Sequence, residues 1–393
     1  MEIHLTLLVC LFAAVGMSLY AIPVIVRIVK HLGLLDHPNE RSSTKKSVPT
    51  LGGIAIFISF ILSSTIGLSM YDLPEIKYIL PALILILFVG LSDDILNMSP
   101  YKKFFFQVTV AVILVFMAKI RFTSLHGTFG IWEIGEVTGS ILACFTIIVI
   151  TNAFNLIDGI DGLASGITML IATVFGIWFY ISGYSSYAIL SFSLVGAVLG
   201  FFYFNVYGVE NKIFMGDTGS LVIGTIVSIL VIRFNEFNID QSQQYAVEAA
   251  PAISFGILSY PLMDIIRVII IRMSHFRHPF QADKNHFHHR LLTLGLSHRM
   301  ATLSIIGFNI LFIIAVFYLN RLGFTSLMFY ILVACIVLVM VPAFAIQKKN
   351  LIREDDPVQQ LLIPGIPNEV KRDSKKQKIS GNEDLNGLEG ELN

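Results

Sequence analysis

Four short segments of this chain carry charged and amide residues at spacings suited to chemistry on an anionic substrate. Asp93 and Asp94 are adjacent, end an apolar run and are followed by Lys103. Two neighbouring carboxylates repel unless a divalent cation or a lysine neutralises them, so the pair reads as a metal or general-base site, with a solvated helix C-terminus as the plainer account. The second segment runs Asn152-Ala-Phe-Asn155-Leu-Ile-Asp158-Gly159-Ile-Asp161-Gly162. On a helix end the spacing of Asp158 and Asp161 puts both carboxylates on one face, and the glycines let backbone approach a ligand. The oxygen-ligand pattern of an EF-hand is not supplied, and a simple turn is the alternative.

The third segment, Phe214-Met215-Gly216-Asp217-Thr218-Gly219-Ser220, has the glycines and hydroxyls of an anion cradle at a helix start. An aspartate there repels phosphate unless it holds Mg²⁺, which makes Asp217 the first choice of metal ligand; N-capping by Asp217 or Ser220 is the bland competitor. The fourth, Asp283-Lys284-Asn285-His286-Phe287-His288-His289-Arg290, clusters histidines. Arg290 beside His289 opposes a zinc ion, and histidines with arginine fit a phosphate better. A basic loop at a membrane surface accounts for the same residues without chemistry. Gly52-Gly53 forms no nucleotide fingerprint, and Asp264 with Arg267, three apart, reads as mutual neutralisation on a helix.

The elements that position these residues must be membrane helices. Of 393 residues 55% are hydrophobic and 14% charged, and the mean hydropathy is +0.76, far from the composition of a water-soluble domain. A span needs roughly 20 apolar residues, and runs near 3–28, 51–70, 78–92, 104–120, 138–154, 163–181, 187–205, 220–233, 247–271, 300–319 and 325–346 give about eleven. The expected fold is therefore all-α and polytopic, with a transmembrane domain over 1–346 and a disordered cytoplasmic tail over 347–393. Lys30, Lys45, Lys46, Lys102, Lys103, Lys212, Arg272, Arg277 and Arg290 fall in alternate loops, which places those loops in the cytoplasm, the N-terminus outside and the C-terminus inside. All four chemical segments lie on that face. Lysine plus arginine (27) equals aspartate plus glutamate (27), so charge gives no case for nucleic acid. The dispersed Cys10, Cys144 and Cys335 suggest neither disulfides nor a zinc site.

Taken in order from about Asp36 to Arg299, these loops resemble the polyprenyl-phosphate N-acetylhexosamine-1-phosphate transferases. The resemblance implies that Asp93 and Asp94 are the paired aspartates, that Asn152, Asn155, Asp158 and Asp161 form the nucleotide-site signature, and that Asp217 is the metal aspartate of Phe214-Met-Gly216-Asp. Lys46 matches the lysine before Pro-Thr-Leu-Gly-Gly, and His288, His289 and Arg290 match the His-His-Arg triplet. Asn205 is the expected amide on the uracil side. The His-His-Arg triplet places the chain nearer the WecA/TagO branch than MraY, which has three consecutive histidines. Thr44 departs from the histidine of many relatives.

The activity so implied is transfer of N-acetylhexosamine 1-phosphate, most simply N-acetylglucosamine 1-phosphate, from a UDP-sugar to undecaprenyl phosphate at the inner face of a bacterial cytoplasmic membrane. Such a step initiates an envelope polysaccharide. Mg²⁺, for which Mn²⁺ can substitute, would sit on Asp217 with Asp94 as second ligand. Lys46, Lys103, His288, His289 and Arg290 would supply positive charge around the phosphates. Direct attack and a covalent aspartyl intermediate both remain open from sequence, and a homodimer is compatible with it. A muramoyl-pentapeptide transferase is the nearest competing activity. A secondary transporter is the rival from another class, but its binding residues belong near the bilayer midplane rather than at one edge.

Overall fold

The computed structural model describes residues 2–33, 48–128, 130–274 and 287–354. Lys46 and Thr44, the segment from Asp283 to His286, and the tail beyond Glu354 therefore lie outside the described residues. The chain forms two units, Met1–Val339 and Met340–Asn393. The chemical segments belong wholly to the first.

The protein is an all-α polytopic membrane protein. Its helices are α1 (Ile3–Leu32), α2 (Gly52–Leu68), α3 (Ile76–Leu96), α4 (Pro100–Val112, continued by a π-helical turn Ile113–Met117), α5 (Glu136–Ile157), α6 (Leu163–Ile181) and α7 (Ser185–Tyr207), then α8 (Gly216–Phe237), α9 (Ala250–Ile257), α10 (Ser259–Ser274), α11 (Phe287–Thr293), α12 (His298–Tyr318) and α13 (Gly323–Glu354). Between α4 and α5 the expected linker instead forms a small antiparallel ribbon, β1 (Ser124–Thr128) with β2 (Ile131–Glu133). Among the described residues nine helical segments are long and apolar enough to cross a bilayer, ten if α9 with α10, bent by 80° at their break, is counted as one span. The helix α2 has 17 residues and falls short of that length, so length and composition do not by themselves fix the expected count of eleven. The last helix also runs past residue 347, to Glu354.

The bend after α9 has a visible cause. Pro261 cannot donate to the carbonyl of Ile257, four residues back, which interrupts the helical ladder. The buried side chain of Asn309 on α12 takes over: its amide donates to the Ile257 carbonyl at 3.3 Å and accepts from Ser259 Oγ at 2.7 Å. An exposed carbonyl in a membrane interior is costly, so a side chain from the neighbouring helix is what lets the break persist.

At the centre stands α8, almost entirely buried, as expected of a helix apolar all round. The helices α2, α3 and α5 approach it where residues are smallest. A Cβ on Gly53 would lie 2.1 Å from the Gly219 nitrogen, one on Gly90 2.4 Å from the Thr218 Cα, and one on Gly224 2.6 Å from the Thr151 Cα. Backbones therefore touch, the usual source of helix association where lipid removes the hydrophobic drive. Large apolar side chains such as Phe12, Phe88, Phe105, Phe145 and Leu311 face outward, as a lipid-facing surface requires. The three closely approached helices carry Gly52-Gly53, Asp93-Asp94 and Asn152-Asn155, so the same packing that buries α8 gathers the chemical segments at one end.

Candidate active site

The first turn of α8 is the centre of the site. The segment before it is held by main-chain bonds: Phe214 N–H donates to Pro49 C=O at 2.8 Å, Gly52 N–H to Phe214 C=O at 3.0 Å, and Gly53 N–H to Met215 C=O at 3.0 Å. Phe214 thus acts here through its backbone, and the Gly52-Gly53 stretch, unremarkable in sequence, is its partner. Gly216 has φ of 69°, and a Cβ there would stand 2.1 Å from the Thr50 carbonyl and 2.6 Å from an Asp94 carboxylate oxygen. No other residue fits both the left-handed conformation and the space.

Asp94 caps α8. Its Oδ1 accepts the N–H of Asp217 at 2.9 Å, and its Oδ2 accepts the N–H of Thr218 at 2.9 Å and the Thr218 hydroxyl at 2.5 Å. A carboxylate at a helix N-terminus satisfies orphan donors and meets the positive end of the helix dipole. Asp94, the expected second metal ligand, thus turns both of its oxygens to the start of the helix that carries Asp217.

Asp93 faces the other way round the same helix end. Its Oδ1 accepts from Met98 N–H at 2.8 Å and its Oδ2 from Lys103 Nζ at 2.9 Å. The same ammonium pairs with Asp217 Oδ2. Asp217 Oδ1 accepts from Asn155 Nδ2 at 2.7 Å, and that amide also donates to Ser220 Oγ at 3.0 Å. Asp93, Lys103, Asp217 and Asn155 therefore form one connected group drawn from α3, α4, α8 and α5.

The Asp-Gly-x-Asp-Gly segment is the turn that leads from the end of α5 to the start of α6. Asp158 is the C-cap of α5. Burial, followed by the negative charges of Asp217, Asp94 and Asp161, pushes its carboxyl up to about 8. Asp161 is paired with Lys212 at 2.5 Å, and its carbonyl accepts from the Thr302 hydroxyl at 3.1 Å. Asn152 forms an amide pair with Gln107, donating to Gln107 Oε1 at 2.8 Å. Asn205, 6% exposed, accepts from Gly162 N–H at 2.7 Å and donates to Ile213 C=O at 3.0 Å. The amide expected on the uracil side thus braces two backbone segments.

The histidine-bearing helix α11 docks on this turn. His288 is 1% exposed and lies against Gly159, where a Cβ would fall 2.3 Å from its Nε2. His288, expected to supply positive charge around the phosphates, therefore stands directly on the Asp158-Gly159 turn. His289, whose ring centroid is 4.4 Å from that of His288, and Arg290 are half-buried on the same helix. Asp264 accepts the N–H of Phe287 at 2.8 Å and lies 3.5 Å from Arg267. It neutralises Arg267 as its spacing suggests, and also fastens the start of α11. Gln107 and Thr302 are site-building residues that the sequence pattern did not single out, whereas Thr218, Lys212 and Asp264 stood in it without a part in the site.

The donor set suits a small hard cation. Asp217 and Asn155 offer oxygens, and Mg²⁺ commonly binds through one or two carboxylates while substrate phosphates and water complete its shell. Among the described residues no three His, Cys, Asp or Glu side chains converge as a complete metal cage. The Lys103 ammonium already occupies a position between two carboxylates, which shows that this spot favours positive charge.

The glycosyl transferase family 4 model matches residues 76–235, from the start of α3 to the end of α8. The undecaprenyl-phosphate alpha-N-acetylglucosaminyl 1-phosphate transferase of Escherichia coli K12 is 30% identical over 280 residues, covering 70% of this chain and 73% of that protein. Its Salmonella typhi counterpart is 31% identical over 274 residues, covering 69% and 72%. The probable undecaprenyl-phosphate N-acetylglucosaminyl 1-phosphate transferase of Bacillus subtilis is 34% identical over 290 residues, covering 73% and 78%.

Proposed function

The chain belongs to glycosyl transferase family 4, and from that membership and its acidic site we propose that it transfers N-acetylglucosamine 1-phosphate from UDP-N-acetylglucosamine to undecaprenyl phosphate. The reading rests most on one observation: Asp217 opens a buried helix and is held by Asn155 and Lys103, with Asp93 and Asp158 alongside. The named activities of the relatives supply the substrates. The loop charges supply the side of the membrane, with the site at the cytoplasmic face of a bacterial inner membrane, the N-terminus outside and the C-terminus inside.

In the reaction an oxygen of the prenyl phosphate forms a bond to the β-phosphorus of the donor. The bond from that phosphorus to the bridging oxygen breaks, and UMP leaves with the electron pair. Mg²⁺, when bound with the diphosphate, neutralises charge and stabilises the leaving group. Asp217, oriented by Asn155, would hold it. Lys103 keeps Asp93 and Asp217 at a fixed separation and offsets their repulsion. Engagement by that ammonium makes either carboxylate a poor nucleophile, which favours direct attack over an aspartyl intermediate. A phosphate monoester with a second pKa near 6 is largely deprotonated at neutral pH, so no strong base is required, and Asp93 serves to hold Lys103 beside Asp217. His288 brings α11 against the Asp158-Gly159 turn, and so sets where His289 and Arg290 stand. Arg290, with its fork of donors, is the group suited to grip donor phosphate or sugar oxygens.

Purified protein in detergent, given undecaprenyl phosphate, Mg²⁺ and a panel of UDP-sugars, should release UMP with UDP-N-acetylglucosamine and not with a muramoyl-pentapeptide donor. Release only from the muramoyl donor, or none from any, would overturn the reading. Activity in detergent, with no second compartment, also separates it from a transporter.

A further inference from the structure

We infer that the ion pair of Glu75 and Arg233, at the far end of the bundle from Asp217, is a positioning element for the transfer reaction, fixing the axial register of α3 against α8. The inference rests on the transferase reading for its kinetic consequence, but not for its structural one.

The two helices are antiparallel and joined at both ends. At one end Asp94 of α3 caps the start of α8. At the other, Arg233 Nη2, in the last turns of α8, donates to Glu75 Oε1, at the start of α3, at 2.8 Å. Asp217 and Arg233 are separated by sixteen residues, about 24 Å at 1.5 Å per residue. The guanidinium is further held by the carbonyl of Ala118 at 3.4 Å and lies over the Tyr187 ring, 5.7 Å from its centroid. A neighbouring clamp reinforces it: Glu236 accepts from Thr123 N–H at 2.8 Å and from the Thr123 hydroxyl at 2.9 Å.

Between these ends the buried face of α3 is apolar, formed by Ile79, Ala82, Leu83, Ile86 and Val89. Van der Waals packing of that kind is non-directional, whereas a half-buried ion pair loses its partner on a small shift and leaves a charge uncompensated. The cap at the other end tolerates little: hydrogen bonds near 2.9 Å fail beyond about 3.5 Å. A helix transmits axial displacement along its length, so a slip of half a residue, about 0.75 Å, at Arg233 reaches Asp217 and disrupts its alignment with Asp94. Both charged residues therefore act through Asp217 and touch no substrate.

The test compares wild type with Glu75→Gln, Arg233→Gln and the exchanged pair Glu75→Arg with Arg233→Glu, all below their unfolding temperatures. Amide hydrogen exchange over residues 215–220 reads the cap without any catalysed reaction. It should accelerate at least tenfold in each single variant and return toward wild type in the exchanged pair. In the transferase assay the single variants should lose at least tenfold in kcat and need at least threefold more Mg²⁺, with KM for the UDP-sugar within twofold. Unchanged exchange in the single variants would overturn the inference, as would an exchanged pair that regains thermal stability without slowed exchange. Absence of UMP release by wild type would instead count against the transferase reading, and the exchange result would still decide the register.

Discussion

Asp94 accepts the backbone N–H of Asp217 at 2.9 Å, so one acidic residue of the site is the cap of the helix on which another stands. The two therefore differ in their partners: the Asp217 carboxylate is held by the side chains of Asn155 and Lys103, that of Asp94 by the first turn of α8.

Asp94→Asn should accordingly act as a misplaced cap. One oxygen is replaced by an amide nitrogen that confronts an N–H donor, which costs about 1–2 kcal/mol of stability. We expect kcat to fall about a hundredfold and the half-saturating Mg²⁺ concentration to rise, with measurable binding retained. A variant with full kcat and unshifted Mg²⁺ dependence would refute the capping role.

Asp217→Asn should abolish transfer at any Mg²⁺ concentration while the protein stays folded, because the amide preserves shape but cannot neutralise a cation. A loss of about a thousandfold or more is expected for removal of the main charge-stabilising contact. Activity rescued by high Mg²⁺, in protein with a near wild-type unfolding curve, would move the metal site elsewhere.

The raised Asp158 carboxyl predicts a pH dependence of stability in chelator-treated protein. The folded state holds this proton up to about pH 8, whereas the unfolded chain releases it near the ordinary 3.8. The folded state thus binds more protons in that interval, and stability declines as pH rises through it. Asp158→Asn removes the group, so its unfolding temperature should match wild type at pH 4 to 5 and exceed it by a few degrees at pH 8.5. Equal curves across the range would contradict the burial of this carboxyl.

Asn205→Ala separates bracing from recognition. With both polar ends on backbone, its loss should destabilise the protein by about 1–3 kcal/mol and reduce kcat, while UMP inhibits about as well as before. A UMP inhibition constant raised more than tenfold, at unchanged stability, would restore a nucleoside contact for Asn205.

Arg290→His should cost donor turnover without installing use of a muramoyl-peptide donor, since a histidine cannot reproduce the two-pronged grip of a guanidinium. Full activity on UDP-N-acetylglucosamine in that variant would remove Arg290 from the donor site.

The sequence by itself determined the membrane class, the order of the helices and the segments that would carry chemistry, because lipid demands long apolar runs and leaves charged residues conspicuous at their ends. Asp93, Asp158 and Asp217 could be named on those grounds. What distinguished Asp94 from Asp93, bound Asn205 to two backbones and paired Asn152 with Gln107 was decided only by the tertiary structure. Each of those relationships joins residues far apart in the chain, and hydrogen-bond partners are fixed by close helix contact in space, which local spacing does not encode. The ion pair of Glu75 with Arg233 is the extreme case: in sequence, one is a linker carboxylate and the other a charge near a helix end, and packing of α3 on α8 alone makes them meet.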